Sequence, residues 1–380
     1  MIECQVQVPT HPVMILNAGL NTSVGASLPP VSPAYRGRLS TIEEYDWLPS
    51  GVDGRPLVAA AHTLISPGLD PIGRMLWLAD LAAREALAIL PELGLDPAGF
   101  RIPALLALPS PRPGWTQDHP AAFIRAWAKD LPCGLDPDHS LITDTGHHGA
   151  IALLGQAVAM LEAGDQELCL VGGVDSWIDI DLLDWLDQQG RLKSPTAPQG
   201  LIPGEAAAFL LLGTQRMAQR PGEAGLAWVV AVGEAVDPTP WYLGRAVRGD
   251  GLATLLQELL TPERPIAGAT WADLNGEAWR ADEWMTADLR SADRHADPLT
   301  LHHPAISWGD IGAASGAALT ALAAHELKRD RYGPTTALVW AASDTQPFRS
   351  ACFLSVLSEQ QSRRPLTREY FLTMPQFFTR

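Results

Sequence analysis

The chain has 380 residues, of which 47 % are apolar and 18 % are charged. A chain of this length and composition can bury two sizeable hydrophobic cores or one large duplicated core. Lys and Arg total 27 against 43 Asp and Glu, which gives a net charge of −16. Such a charge repels the phosphates of nucleic acids and anionic membrane surfaces, so we expect no nucleic-acid partner.

Hydrophobic runs and cysteine spacing indicate a soluble, cytoplasmic protein. No apolar run approaches the roughly 20 residues that cross a bilayer, and the first residues lack a basic stretch followed by a hydrophobic one. We therefore expect no membrane segment and no cleaved export signal. The four cysteines have no CxxC spacing, which favours a reduced setting, and Cys169 lies in an apolar run as a small buried side chain would.

Short strands rich in Val, Ile and Leu alternate with helical segments along the chain. This alternation predicts an α/β fold in which sheets pack on central helices. In chain order, the clearest predicted strands are VMILNAGL at 13–20, AAAFLLLG at 206–213, LAWVVAVGEAV at 226–236 and TALVWAAS at 336–343.

Two segments repeat the same order of features: a polar Gly-rich entry, an Ala-rich helix and an apolar strand. The first lies at 143–175 and the second at 307–344, which indicates an internal duplication. Both helices are apolar on nearly all sides, so we expect them at the centre of a layered structure. A polar, turn-rich stretch at 215–225 separates the halves, and we place the two domains at residues 1–215 and 216–380.

The first repeated unit contains the tetrapeptide DTGH at 144–147, a helix predicted at 149–163, the dipeptide GD and a strand with Gly172 and Gly173. This order resembles the nucleophile region of β-ketoacyl synthases, including the ketosynthase domains of polyketide synthases. The resemblance implies a thiolase-like, duplicated α-β-α-β-α layered fold with two pseudo-equivalent halves. It also places His147 where the family has its nucleophilic Cys.

Weaker matches extend this resemblance over residues 13–355. They are NAGLNTSVG at 17–25, PGEAAA at 203–208 and GDGL at 249–252. The segment DLNGE resembles the family's Asn-Ala-His-Gly-Thr segment and places Asn275 at the first catalytic His. The segment GDIGAASG resembles Gly-His-x-x-Gly-Ala-x-Gly and places Asp310 at the second. The family's closing Gly-Phe-Gly-Gly-Thr-Asn loop is absent, and SDTQPF at 343–348 stands at about its place.

The substituted residues lack the family's chemistry. His147 cannot form the thioester that a thiolate carries, and the dipole of the following helix disfavours an imidazolium, so we expect a neutral ring. The carboxylate of Asp310 only accepts hydrogen bonds and would repel an enolate, whereas it suits backbone N–H groups at a helix start. Asn275 could still donate to an enolate through its amide, and Asn275 with Gly276 is also typical of a tight turn after a strand.

A different chemistry could use the same residues. His147, Glu277, Asp310 and His148 could converge as a His-carboxylate pair for acid-base work or as metal ligands. The sequence has no metal-ligand spacing, however, and the pair His302-His303 precedes a proline in a predicted loop. It also has no phosphate loop, nucleophile elbow or nucleotide fingerprint. We therefore expect neither a metal nor a cofactor.

The leading hypothesis is a catalytically degenerate ketosynthase-like protein that acts by binding. The resemblance implies a homodimer through the first half, in which the strand after the nucleophile helix pairs across the two-fold axis. Similar degenerate proteins are associated with type VI secretion effector clusters, so an accessory or adaptor role with a secretion effector is one version.

Two alternatives stay open at this point. One is an active acyltransferase or acyl-thioester hydrolase, similar to a 3-oxoacyl-[acyl-carrier-protein] synthase, with an open acyl tunnel that leads to His147. The other is a non-catalytic, chain-length-factor-like subunit of a ketosynthase heterodimer. Its protein partners would be a Cys-bearing ketosynthase homologue and an acyl-carrier protein.

Overall fold

The structure is a computed structural model that describes residues 2–51, 54–219, 225–330 and 332–356. The strands, in chain order, are β1 (Cys4–Gln7), β2 (Val13–Thr22), β3 (Glu43–Pro49), β4 (Pro56–Ala59), β5 (Arg101–Ile102), β6 (Ala104–Ala107), β7 (Gly134–Leu135), β8 (Leu141–Thr143), β9 (Leu168–Ser176), β10 (Glu205–Thr214), β11 (Ala227–Val236), β12 (Ala269–Ala272), β13 (Leu301–His302), β14 (Thr336–Ala342) and β15 (Phe348–Ser355). The helices are α1 (Leu28–Arg36), α2 (Pro71–Leu87), α3 (His119–Asp130), α4 (Gly149–Ala163), α5 (Ile180–Gln188), α6 (Gln215–Ala218), α7 (Asp250–Leu259), α8 (Ala278–Arg290), α9 (Ala305–Trp308) and α10 (Ser315–Arg329).

Two five-stranded arrays with the same topology form most of the main sheet. The order is β8-β6-β9-β10-β2 in the first array and β13-β12-β14-β15-β11 in the second. In each array the first two strand pairings are parallel and the last two are antiparallel. The arrays meet where β2 pairs with the start of β11. The corresponding helices α4 and α10 each connect the first strand of an array to its third strand, β8 to β9 and β13 to β14, so the predicted internal duplication is confirmed.

The layers follow from where the apolar side chains pack. Side chains of α4 and α10 share one hydrophobic core with the inner faces of both arrays. The outer face of the first array packs on α2 and α3, and the outer face of the second array packs on α7 and α8. This is the α-β-α-β-α order that the family resemblance implies, and both Ala-rich helices lie in the central layer, as their apolar pattern predicts.

The helix α4 begins and ends where the sequence places it. Its apolar residues cover nearly all sides because strands lie on both sides of it. It ends at Gly164, whose φ of +81° is in the left-handed region that favours glycine. The four predicted strands at 13–20, 206–213, 226–236 and 336–343 are also confirmed, as β2, β10, β11 and β14.

Two expectations about strands are wrong. The strand after the nucleophile helix, β9, pairs with β10 on one side and with β6 on the other, so it has no free edge for a partner across a two-fold axis. The edge of the first array is β8 instead. His302, which the sequence places in a loop, ends β13 and pairs in parallel with β12.

The domain boundary between residues 215 and 216 stays a prediction. It lies just after β10 and close to residues 220–224, which are outside the described part of the chain. Among the described residues, no helix is both long and apolar enough to cross a bilayer.

Candidate functional site

The position of His147 depends on a sharp turn before α4. Gly146 has a φ of +72°, and a Cβ there would lie 3.0 Å from the hydroxyl of Ser110. Glycine therefore allows the chain to leave β8 and enter a 3-10 turn that leads directly into α4. His147 lies in this turn and is 2 % exposed.

Asp310 lies in the second half, two residues before the corresponding 3-10 turn (Gly312–Ala314) that leads into α10. Its backbone N–H donates to the carbonyl of Ile202 at 2.6 Å, and its carbonyl accepts from Gly204 at 2.8 Å, which fixes the segment before α10. Its Oδ1 accepts from the N–H of Gly312 at 2.8 Å, so the predicted role at a helix start is confirmed. Because the first turns of α4 and α10 meet at the centre, Nε2 of His147 lies 2.8 Å from Oδ1 of Asp310.

Asn275 completes the predicted set and contacts Asp310 directly. Its amide nitrogen donates to Oδ2 of Asp310 at 2.6 Å and to Oε2 of Glu277 at 3.1 Å. Its amide oxygen accepts from the N–H of Glu277 at 3.0 Å, and Gly276 has a φ of +106°. The predicted turn after a strand is confirmed, since β12 ends just before it. The structure therefore brings the three sequence-predicted site residues together.

Two charged residues of the site are missing from the sequence-based prediction. Arg191 donates to both carboxylate oxygens of Glu277, at 2.8 and 3.0 Å, and to Oδ2 of Asp344 at 3.2 Å. The other oxygen of Asp344 lies 3.5 Å from Nδ1 of His147, which is too long for a good hydrogen bond. The sequence departs from the family's Gly-rich loop at 343–348, and this departure marks the segment that contains Asp344. Nothing in the sequence marks Arg191.

The carboxylates decide the charge of the buried ring. Burial alone would lower the pKa of His147, but the negative charge of Asp310 and the contact with Asp344 outweigh burial and raise the pKa to about 10. The ring is an imidazolium at neutral pH, and the expectation of a neutral ring is therefore wrong. The helix dipole acts against this charge, yet two carboxylates at contact distance have the larger effect.

The partners of the imidazolium shift in the opposite direction. Burial would raise the pKa of Asp310 and Asp344, but His147 lowers the pKa of both carboxyl groups well below the usual range. Arg191 stays charged, because Glu277 and Asp344 raise its pKa against the effect of burial. The site is thus a closed network of paired charges at neutral pH.

The overall architecture matches solved ketosynthases. An acyl-carrier protein of a type II PKS in complex with its ketosynthase bound to the hexaketide gives a TM-score of 0.74 at 14 % identity, over 92 % of this chain and 100 % of that chain. The ishigamide ketosynthase/chain length factor gives 0.72 at 16 % identity, over 92 % and 100 %. The ketosynthase from module 6 of the bacillaene synthase of Bacillus subtilis 168 gives 0.68 at 12 % identity, over 91 % and 72 %.

The chain has the ketosynthase fold. At this level of identity the likeness concerns the fold alone. No protein-family model and no curated protein matches the sequence.

In this ketosynthase fold, a pocket of about 160 Å³ reaches the ring of His147. Arg112 pairs with Asp175 and lies 5.1 Å above the ring of Trp177, which closes one wall. The pocket is lined by Ser110, Pro111, Arg112, Pro113, Gly146, His147, Asp175, Trp177, Leu182, Trp185, Gly312, Asp344 and Thr345. Residues 110–113, in the connection after β6, therefore form part of the site.

The alternative cluster for acid-base or metal chemistry forms only in part. Glu277 joins the network through Asn275, but Nδ1 of His148 faces the hydroxyl of Ser350 at 3.0 Å and the carboxylate of Glu234 at 3.3 Å. Within the described ranges, no group of three or more His, Cys, Asp or Glu side chains is arranged to hold a metal ion. The ketosynthase-fold site therefore combines one imidazolium with carboxylates and an arginine.

Proposed function

We propose that this ketosynthase-like protein acts by binding a protein partner and does not transfer acyl groups. The observation that carries the proposal is the environment of His147: the ring is 2 % exposed and both of its nitrogens face carboxylates. An imidazolium has no lone pair with which to attack a thioester, so a pKa of about 10 removes the nucleophile at neutral pH.

The two other substituted positions also lack a usable donor. Stabilising an enolate requires hydrogen-bond donors directed at the developing negative charge. The carboxylate of Asp310 only accepts, and the amide nitrogen of Asn275 already donates to Asp310 and Glu277. Decarboxylation of a malonyl thioester therefore has no electrostatic support from these residues.

The edge strand β8 supports binding of a protein partner. It pairs only with β6 among the described residues, and Leu141 and Ile142 are 41 % and 40 % exposed. An open edge with exposed apolar side chains is a template for a strand from another chain. We propose that a second copy of this chain, or a Cys-bearing ketosynthase homologue, pairs there.

Two similar structures suggest which partners to test. One is described as a ketosynthase with a chain length factor, and the other as a ketosynthase in complex with its acyl-carrier protein. We propose a non-catalytic, chain-length-factor-like subunit as one version of the binding role. An adaptor for a type VI secretion effector is the other version, and it rests on the sequence resemblance.

Enzyme assays test the loss of chemistry. We expect no decarboxylation of malonyl thioesters and no acyl transfer from acyl thioesters above the rate of a protein-free control. The variant His147→Ala, checked for folding by thermal unfolding, should give the same blank rate. Turnover that His147→Ala abolishes would contradict the proposal.

Sedimentation tests the partner surface. We expect Ile142→Lys to prevent association, because it places a charge on the proposed interface. The matched control is Leu289→Lys, which changes an 80 % exposed residue of α8. Analytical ultracentrifugation of each protein, alone and after co-expression with a Cys-bearing ketosynthase homologue, measures the outcome. If Ile142→Lys associates as the unchanged protein does, β8 is not the interface.

A further inference from the structure

A second pocket, of about 240 Å³, lies at the other end of the main sheet, beside the edge strand β13. It shares no lining residue with the pocket at His147. We call it the aromatic pocket, and it is lined by Tyr35, Arg36, Ala269, Trp271, Thr300, His302, Ala323, Glu326, Leu327, Arg329, Asp330 and Pro334. Neither the ketosynthase fold nor the proposed partner surface accounts for it.

The floor of the aromatic pocket is built from three rings. His302 stacks on Trp271 with ring centroids 4.0 Å apart and an interplanar angle of 14°. Tyr35 stands edge-on to His302 at 5.9 Å, and its hydroxyl lies 3.1 Å from Nδ1 of His302. Burial lowers the pKa of His302, so the ring is neutral at pH 7. The arrangement is a fixed, uncharged aromatic surface on which a flat ring can stack.

The rim of the aromatic pocket carries two arginines and two carboxylates. Glu326 accepts from Arg329 at 2.8 Å and from the hydroxyl of Ser32, so its oxygens are already engaged. The nearest approach of Arg36 to the same carboxylate is from Nε at 3.6 Å, too long for a good hydrogen bond, and its side chain is 44 % exposed. Its terminal guanidinium nitrogens contact no acceptor in the described part of the chain. Asp330, the other acid, accepts from the N–H of Tyr332.

This distribution favours an anion over a cation. At Glu326 a cationic ligand would have to displace Arg329, and at Asp330 it would meet a carboxylate that already accepts from Tyr332. An anion instead meets the terminal nitrogens of Arg36, which form no hydrogen bond among the described residues and can bind a carboxylate or phosphate side-on. We propose that the aromatic pocket binds a planar aromatic ligand that carries an anionic group, with the ring against His302 and the anion at Arg36.

Isothermal titration calorimetry with 2-naphthoate tests the proposal. For a ligand of this size we expect a dissociation constant on the order of 1 mM or tighter. The neutral analogue 2-naphthalenemethanol and the cation choline, which stacks on aromatic cages, serve as matched probes. We expect the neutral analogue to bind about tenfold more weakly and choline to show no binding.

Three variants locate the bound probe. Arg36→Gln should weaken naphthoate binding about tenfold, and Thr300→Trp should abolish it, because the exposed Thr300 lies on the pocket wall and a larger side chain would fill the space. Arg125→Gln, at an exposed arginine on α3, should leave the affinity unchanged. Because Arg36 is half-exposed, its variant stays informative if Thr300→Trp fails to fold.

Each other outcome overturns the proposal. Equal affinity for naphthoate and the neutral analogue removes the role of the anion, and tighter binding of choline shows a cation site. Naphthoate binding that survives both Arg36→Gln and Thr300→Trp places the ligand elsewhere. An absence of heat and of saturation-transfer NMR signal at 5 mM probe, about five times the expected constant, shows that the pocket binds no such ligand.

Discussion

Replacing Asp310 with Asn tests how the site is held together. Asparagine keeps the shape of the side chain but removes the charge that faces Nε2 of His147 at 2.8 Å. At pH 7 the ring is protonated because its pKa is about 10 rather than the ordinary 6.5. The roughly 3 pH units between pH 7 and that pKa correspond to a net stabilisation on the order of 4 kcal/mol, in which the attraction of Asp310 and Asp344 outweighs the opposing effects of burial and Arg280.

The closer carboxylate, Asp310, should account for most of this free energy. We therefore expect Asp310→Asn to lower the free energy of unfolding by about 2–4 kcal/mol at pH 7, in line with the cost of breaking a buried ion pair. Urea unfolding measures it as a lower midpoint at an unchanged slope. In a double-mutant cycle, His147→Gln combined with Asp310→Asn should cost less than the two separate losses together. A loss of unfolding free energy below about 1 kcal/mol in Asp310→Asn, or losses that simply add in the double variant, would contradict an ion pair between Asp310 and His147.

Three further predictions concern the pH dependence of the His147–Asp310 pair, the ion pairs of Arg191 and the packing of β9 at Gly173. The loss of stability in Asp310→Asn should have its full size at about pH 5–6.5 and should shrink as the pH rises towards 10, because a raised pKa stabilises the folded state only while the ring is protonated. A loss that grows as the pH rises from 6.5 to 10 contradicts this. Arg191→Met leaves buried Glu277 without a cationic partner and buried Asp344 with His147 alone, and should cost about 3–5 kcal/mol in urea unfolding, against less than about 0.5 for the exposed control Arg125→Gln. Gly173→Ala would place a Cβ 2.2 Å from the backbone oxygen of Ala313 and should lower the free energy of unfolding by about 1–3 kcal/mol. Gly68→Ala, with open space around it, should be near neutral. Equal melting temperatures of the two variants would contradict the close packing of β9.

Local patterns were sufficient to predict the α/β class, the central helices and the internal duplication, whereas the thiolase-like layering came from the family resemblance. The apolar residues that cover nearly all sides of α4, and those of the Val-rich strands, are there because these elements are buried. Burial can be read from residue types and from the spacing of apolar residues along the chain. The order of strands in a sheet is not encoded in that way. The internal position of β9 follows from pairing with β6 and β10, which are distant in sequence, so the predicted dimer strand was wrong.

The sequence named three residues that meet in the structure, but not their charge state. His147, Asn275 and Asp310 come into contact because the segments that lead into α4 and α10 meet at one place. Their assignment to the family's catalytic positions stays a prediction. The neutral ring was inferred from the local helix dipole, whereas Asp344 reaches the ring from almost 200 residues away along the chain. A long-range ion pair of this kind has no local signal in the sequence, and the same is true of Arg191.

The protonation of His147 tests the central claim most directly. We propose a ¹⁵N NMR titration of histidine-labelled protein, with the ring signals assigned through His147→Gln. The account predicts that both ring nitrogens of His147 stay protonated from pH 6 to about pH 9, since the pKa is near 10. Titration of this ring near the ordinary pKa of 6.5 would show a neutral imidazole with a lone pair at pH 7, and acyl transfer at this position would again be chemically open.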